Sequence, residues 1–479
     1  MRAAAGRVAI TTTEIRANDE LCAKILLLSE GDLLAAVISL DYISLGGDIG
    51  TVSDGFYPAL KERLAALGIG TLLCGVTHTH TPEPMVVPEE ELLLRITEKA
   101  KALLPTLGEA TLSYAEAHEG SFLLNREIPT EDGRDWPVRQ AHPLPREESY
   151  SSLAEPDDTV RIVRILGDDG ASIATLFTFG CHPLVGYAND RATAGFPGVA
   201  ERLIESAEGG VAMMLQGMAG DVCELDYKNY FKPKSCREHG LRLGAAVLSA
   251  FGDATPIGEG LACATATALF PMRSDFDEKL KAIRERQLAL CGELGSCPLS
   301  FKSFLPLYTR YLLSPDYPLD DKYVYLREEA LGVTQLRDQD TINRGNIEKY
   351  LENIAVMEEL SRLSAEYDTL LWHKERVERM GSAVPVEVTA IRLGDRVLLS
   401  APFEPLTEVG RILTARYGER VIPATYSNGY QHYGAGSRRY SADSYEAREC
   451  DLAPEWQDAY LAAADAVLAP LGILPKEIS

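Results

Sequence analysis

His78-Thr79-His80 sets two imidazoles two residues apart, directly after the apolar run TLLCGVT. If that run is a strand, both side chains leave it on the same side and reach one pocket. Two such imidazoles can begin a metal site or divide the work between ligand and base, and they suit a plain loop equally well. His182 follows a second apolar run in FTFGCHP. Strand ends gather functional groups in α/β proteins, although a lone histidine there also serves as a structural group. After VAMML comes Gln216-Gly217-Met218-Ala219-Gly220-Asp221-Val222-Cys223. Its glycines permit close backbone approach to a ligand, and Asp221 could orient a histidine. No Gly-Lys-Ser/Thr follows, so this turn is not a phosphate cradle. Cys223 is either a nucleophile or an inert buried thiol. Glu404, in Ala401-Pro402-Phe403-Glu404, is either a ligand or a carboxylate that complements the first turn of a helix. The segment 425–447 carries Tyr426, Tyr430, Tyr433, Tyr440 and Tyr445, which can stabilise an oxyanion, donate a proton, bind a metal or form an aromatic lid. Two histidine segments plus a carboxylate match the ligand set of a catalytic zinc site; no His-Glu-x-x-His helix is present.

The elements that must position these groups alternate between two periods. Apolar runs around Gly31-Asp32 predict a hairpin over 23–43, and TVRIVRIL and SIATLFTFG around Gly167 to Gly170 predict another over 159–180. A third is expected over 384–402 around Gly394. Single strands are expected at 71–77, 110–117, 211–217 and 420–426. Helices are expected near 54–68, 88–104, 197–207, 238–251, 404–417 and 453–469. From 275 to about 380 the pattern becomes long, charged and amphipathic, with a Pro- and Tyr-rich passage at 298–325. That predicts a helical insertion, suited to covering a cleft or forming a homo-oligomer interface. The polar stretch 146–158 reads as an exposed loop. The expected class is mixed α/β (α+β): central mixed or antiparallel sheets flanked by helices, rather than one uninterrupted parallel sheet.

Composition narrows the partners. Lys plus Arg number 47 against 71 Asp plus Glu, a formal charge of −24, which gives no basic footprint for nucleic acid. With 46% apolar and 25% charged residues the balance is that of an ordinary globular chain rather than a disordered one. No apolar run approaches the ~20 residues that span a bilayer, so no integral membrane association is expected. The N-terminus lacks the apolar core of a secretory signal, which favours the cytoplasm, or the exterior if a leader has been removed. The nine cysteines show no paired or zinc-knuckle spacing and read as reduced thiols.

Taken in order, the segments resemble the catalytic domain of the neutral ceramidases, zinc amidases that cleave the N-acyl bond of ceramide. His78-Thr79-His80-Thr81-Pro82 is similar to the family's His-Thr-His-Ser-Gly-Pro, and Asn125-Arg126 to its Asn-Arg-Ser. Cys181-His182-Pro183 looks like its strand ending in His-Pro, and Gly220-Asp221-Val222-Cys223 like its Gly-Asp-Val-Ser turn. Pro402 to Thr407 resembles its Pro-Gly-Glu-Phe-Thr. Asn428, Tyr430, Tyr433, Tyr440 and Tyr445-Glu446 follow its tyrosine-rich segment. The resemblance runs from about residue 10 to 450.

It implies one zinc ion per chain on His78, His182, Glu404 and Tyr430. It also implies that His80, Arg126 and one tyrosine of the 440–445 segment, with Tyr440 preferred on its spacing from Tyr430, surround the scissile carbonyl, with Asp221, Cys223, Tyr433 and Tyr445 supporting them or the substrate. The expected activity is hydrolysis of a C–N amide bond by metal-activated water, on a small or acylated amide. Departures cluster on the substrate side: Cys223 stands where the family has serine, Thr81-Pro82-Glu83-Pro84 replaces Ser-Gly-Pro, and 275–380 has no placed counterpart. Ceramide itself is therefore not the expected substrate. Residues 1–479 are expected to form a single catalytic domain including the insertion, without the family's C-terminal immunoglobulin-like domain. Three other readings remain: a zinc esterase on the same site, a non-catalytic metal-containing binding protein, and a cysteine hydrolase using Cys223.

Overall fold

A ribbon of paired strands organises the larger of two units in the computed structural model, which describes residues 1–12, 17–80, 86–131, 135–137, 155–189, 191–228, 231–440 and 444–476. The larger unit is Met1–Ser274 with Glu375–Ser479, and the smaller is Asp275–Lys374. The principal strands are β1 (Arg2–Ala9), β2 (Cys22–Glu30), β3 (Leu33–Leu40), β4 (Thr71–Val76), β5 (Gly108–His118) and β6 (Thr159–Gly167). They continue with β7 (Ser172–Phe179), β8 (Val211–Gln216), β9 (Leu261–Pro271), β10 (Ala383–Leu393), β11 (Arg396–Ala401) and β12 (Val421–Thr425). Their spatial order is β9-β10-β11-β12-β8-β7-β6-β5-β1-β2-β3-β4, and the pair Thr255–Pro256 adds to β5. The sheet is mixed: β3/β4, β7/β8 and β11/β12 are parallel, and the remaining neighbours are antiparallel. The three expected hairpins are present as β2–β3, β6–β7 and β10–β11.

The ribbon folds over on itself at β1/β5, where only Arg2↔Glu109 and Ala3↔Gly108 pair. The period-2 alternation of the strands then feeds two different cores. In β2, Leu26 and Leu28 face Leu176, Met213 and Leu398 of the opposite layer, whereas Ile25 and Leu27 face away. Ile25 and Leu27 pack with α1 (Phe56–Ala65) and α2 (Glu89–Leu103) through Leu60, Leu64, Leu92 and Ile96. On the other layer, Phe177 and Met214 point outward to α3 (Gly195–Glu208) and α4 (Cys236–Ser249), meeting Phe196, Ile204 and Leu243. The unit is thus helix, sheet, sheet, helix in four layers. That explains why the central strands read as near-continuous apolar runs. Each Leu or Ile so buried contributes about 1.5–3 kcal/mol.

β1 and β9 carried no strand signal in the sequence. RAAAGRVA and LACATATALFP are rich in alanine and threonine, and they become strands by pairing along β2 and β10. The 275–380 insertion is helical as expected: α5 (Phe276–Glu293), α6 (Phe301–Leu313), α7 (Lys322–Ala330) and α8 (Gln335–Met380). Within the smaller unit a compact cluster of Phe304, Tyr311 and Ile347 is backed by Asp340, which accepts hydrogen bonds from Tyr311 (2.9 Å) and Tyr325 (3.0 Å). Thr81, Pro82 and residues 146–154 of the expected loop lie outside the described residues. No helix among the described residues is long and apolar enough to cross a membrane.

Candidate metal centre

The β-layers end in loops that converge. β4 stops at Val76, and His78 takes a left-handed φ of +63° instead of continuing the strand. The pairing of His78 and His80 therefore comes from a turn, not from strand alternation; their Nε2 atoms lie 3.1 Å apart. His182 follows β7, and its ring sits 4.8 Å from that of His78. Gln216, the last residue of β8, joins these two loops. Its amide donates to Thr77 O (3.0 Å) and Cys181 O (2.9 Å), the residues just before each histidine. A further tie runs from His80 N to Pro183 O at 3.3 Å.

Backbone carbonyls fix the two inner imidazoles. His78 Nδ1 lies 2.6 Å from Ile43 O, and His182 Nδ1 contacts Ala219 O and Val222 O, the latter at 3.1 Å. Both Nδ1 atoms are therefore donors, and each ring turns its Nε2 lone pair inward. Those atoms face Glu404: His182 Nε2 is 2.8 Å from Oε2, and His78 Nε2 is 3.4 Å from Oε1. Burial pushes His78 down to about 4 despite the neighbouring carboxylate, so its imidazole is neutral. Burial alone would raise Glu404, but the neighbouring His78 and His182 and the hydrogen bond from Tyr430 hold it well below the usual range. A neutral His78 beside an ionised Glu404 is the protonation state a divalent cation requires.

Glu404 does not occupy the first turn of a helix. It lies in a two-residue strand, Glu404–Pro405, paired in parallel with Tyr433–Gly434, and α9 (Thr407–Tyr417) begins later. The helix-dipole explanation for this carboxylate is thereby removed. Tyr430 donates to Oε1 and Tyr426 to Oε2 (3.2 Å), so two phenols and two imidazoles enclose the group. Sequence reasoning had not separated Tyr426 from the other loop tyrosines. Its φ of +53°, with +64° at Asn428 and +57° at His432, marks a backbone bent to aim side chains inward. Asn428 anchors that bend: its side chain accepts from Cys74 N (3.0 Å) and donates to Thr389 Oγ1 (3.0 Å).

Beside the ligands stands a second group. Arg126 follows the strand Leu123–Asn125 and donates to Tyr433 OH (2.6 Å), Gly220 O (2.6 Å) and Glu446 Oε1 (3.0 Å). Tyr433 stacks on His182 with ring centroids 6.2 Å apart, its hydroxyl 3.5 Å from Nε2. Burial, against the pull of Arg126, holds the Tyr433 phenol well above its ordinary value, so it stays protonated. Tyr445 packs 5.7 Å from the Tyr433 ring and 5.6 Å from the Arg126 guanidinium.

Two residues expected at the site make other contacts. Tyr440, expected beside the scissile carbonyl, donates to Leu452 O (2.6 Å) and lies 3.2 Å from Cys450 Sγ, while Tyr433 occupies the place next to His182. Asp221 orients no histidine; it accepts from Asn125 Nδ2 (3.0 Å) and from Thr407 N and Oγ1 (2.8 Å each). It thus joins the Arg126 segment to α9. Cys223 is fully buried in the strand Val222–Glu224, opposite Leu124 and bridged to His182 through the backbone.

The same fold is found in two solved structures, over about three quarters of each. The neutral ceramidase from Pseudomonas aeruginosa superposes with a TM-score of 0.59 at 15% identity, covering 100% of this chain and 75% of that one. A ceramidase solved in complex with C2 gives a TM-score of 0.60 at 16% identity, covering 100% and 76%. This chain has the neutral ceramidase fold. No protein-family model matches the sequence, and no curated protein does either. At this identity the ceramidase likeness is one of architecture, and the chemistry has to be argued from the side chains.

Those side chains fit a metal of the zinc type. One ring nitrogen from each of His78, His80 and His182 lies within 4.8 Å of the others, and Glu404 reaches His78 and His182 from beneath. Imidazole Nε2 atoms with fixed Nδ1–H partners at His78 and His182, plus a carboxylate, are donors that a divalent metal of this type accepts.

Proposed function

We propose that this chain is a zinc-dependent hydrolase that cleaves a C–N amide bond of a small or acylated amide. One observation carries the reading: His78 and His182, locked by carbonyl groups behind them, aim their Nε2 atoms at one ionised, buried carboxylate. In this reading His78, His182, Glu404 and Tyr430 hold the ion, one per chain. Bound there, zinc acidifies a water to a pKa near ~7 and polarises a carbonyl.

The remaining work belongs to the protein's own groups. His80 is the exposed member of the histidine cluster and stands 3.1 Å from His78. It accepts the proton of the attacking water and returns it to the leaving amine. Tyr433 accepts from Arg126, which leaves its own proton for the oxygen that gains charge. Arg126 supplies positive charge behind it, and Glu446 holds the guanidinium in place. A donor of this kind is worth about 2.7–4 kcal/mol in the transition state. Tyr433 therefore takes the part that the family resemblance assigned to Tyr440.

Metal content by mass spectrometry, with turnover of N-acyl amides, tests the proposal on wild type, His182→Ala and His80→Ala. Expected are about one zinc per chain in wild type, loss of metal and activity in His182→Ala, and retained metal without activity in His80→Ala. A metal-free wild type, or a fully active His182→Ala, ends this reading.

A further inference from the structure

A small pocket of about 80 Å³ opens beside His80, lined by Thr79, Pro183, Tyr187, Arg191 and Lys234 among others. None of its described lining residues is acidic, in a chain that carries 71 carboxylates against 47 cations. Both cations are exposed, and neither side chain has a hydrogen-bond or ion-pair partner among the described residues. Unpaired cations on so acidic a surface create a local inversion of potential, which favours an anion.

The backbone under both cations is fixed. Asn18 and Asn189 exchange side-chain amide bonds of 2.9 and 2.8 Å, Asn18 N donates to Ala192 O (2.8 Å), and Arg191 N donates to Asn189 Oδ1 (3.2 Å). Lys234 precedes Ser235, which bridges Tyr187, and Cys236 N donates to Gly186 O at 3.0 Å. Each cation thus rides on a segment tied to the neighbourhood of the His182 loop. A cavity of about 80 Å³ is roomy enough for a carboxylate and its carbon.

We infer that the substrate carries a carboxylate on its amine half, held by Arg191 and Lys234: the substrate class is N-acyl amino acids. This deepens the amidase reading above and rests on it. Because the pocket borders His80, the group that protonates the leaving nitrogen, it receives the amine side of the bond. Water adds its oxygen to the acyl carbon and the C–N bond breaks. Both protons of the water end on the nitrogen, so the amine leaves as a zwitterionic amino acid and the acyl half as a carboxylate.

Isothermal titration of the metal-loaded protein with N-acetylglycine and its neutral counterpart N-acetylglycinamide tests the pocket, using wild type, Arg191→Gln, Lys234→Gln and the double variant. Wild type should bind the carboxylate about tenfold more tightly, as expected for charge-assisted hydrogen bonds, and high salt should narrow the gap. The double variant should lose that preference while binding the neutral amide like wild type. Equal binding of the two by wild type, no binding of N-acetylglycine, or a preference that survives in the double variant overturns the inference. Hydrolysis is scored separately. A binding preference without turnover of N-acyl amides sinks the amidase reading and leaves the anion pocket; turnover without preference does the reverse.

Discussion

The inner wall of the site and its outer rim are built in opposite ways. On the wall, His78, His182, Glu404, Tyr426 and Tyr430 are all buried and each hydrogen bonds to the next or to a fixed carbonyl. On the rim, His80, Arg191 and Lys234 are exposed, and the two cations have no side-chain partner among the described residues. The wall is over-determined because a buried polar group without a partner costs about 1–3 kcal/mol. The rim escapes that constraint because water satisfies it. In the proposed reading metal chemistry belongs to the rigid wall, and substrate choice to the surface that can change without unfolding the protein.

The largest effect should come from breaking the wall. Glu404→Gln removes the anionic ligand and leaves two lone pairs facing a neutral amide; zinc should be lost and kcat/KM should drop to the metal-free background. Metal analysis beside kinetics checks it, and retained zinc would move the ligand role to His80. Next comes Tyr433→Phe, expected to lower kcat by about 10²–10³-fold with metal content unchanged. If Tyr433→Phe is silent and Tyr440→Phe is not, the family position was the better guide and the observed geometry misleads.

Acid should act on the wall as well. In the metal-free protein His78 titrates at about 4 against an ordinary 6.5, so below 6.5 the unfolded chain binds a proton that the folded one refuses. Stability is full above 6.5 and should fall by up to about 3 kcal/mol as the pH approaches 4, at ~1.4 kcal/mol per unit. Denaturant midpoints across that range, compared with His78→Gln, measure it; a flat profile contradicts a neutral buried imidazole. Gln216→Ala, which touches no metal ligand side chain, should weaken zinc binding about 10–100-fold by loosening both histidine loops. Rescue by metal excess separates this positioning role from misfolding. Smallest of all, Tyr440→Phe should leave kcat/KM and zinc content unchanged.

Much of this was legible in the chain. The hairpins at 23–43, 159–180 and 384–402 announced themselves because apolar runs flank turn glycines, and Gly31 and Gly394 take φ of +58° and +60°. The helical character of 275–380 was equally plain from its charged amphipathic repeat. β1 and β9 were not legible, since Ala- and Thr-rich segments acquire their strand state from the partners beside them. His78, His182 and Glu404 could be singled out from residue type and strand-end position, whereas Tyr430 was singled out among the loop tyrosines only by the family resemblance. Gln216 could not: a buried glutamine declares no role until the carbonyls it reaches, Thr77 and Cys181, are seen together.

The sequence by itself determined which groups can do chemistry, because imidazole, carboxylate and phenol carry their reactivity wherever they stand. It also determined most strands and helices, because periodicity is local. Tertiary structure decided which of those groups meet. Only the convergence of four loops shows that Tyr433 rather than Tyr440 stands beside His182, that carbonyls and not Asp221 hold that ring, and that Arg191 and Lys234 share the pocket of His80. The physical reason is distance. Electrostatics and hydrogen bonds act over a few ångströms in space, and residues hundreds of positions apart reach that range only when the chain is folded.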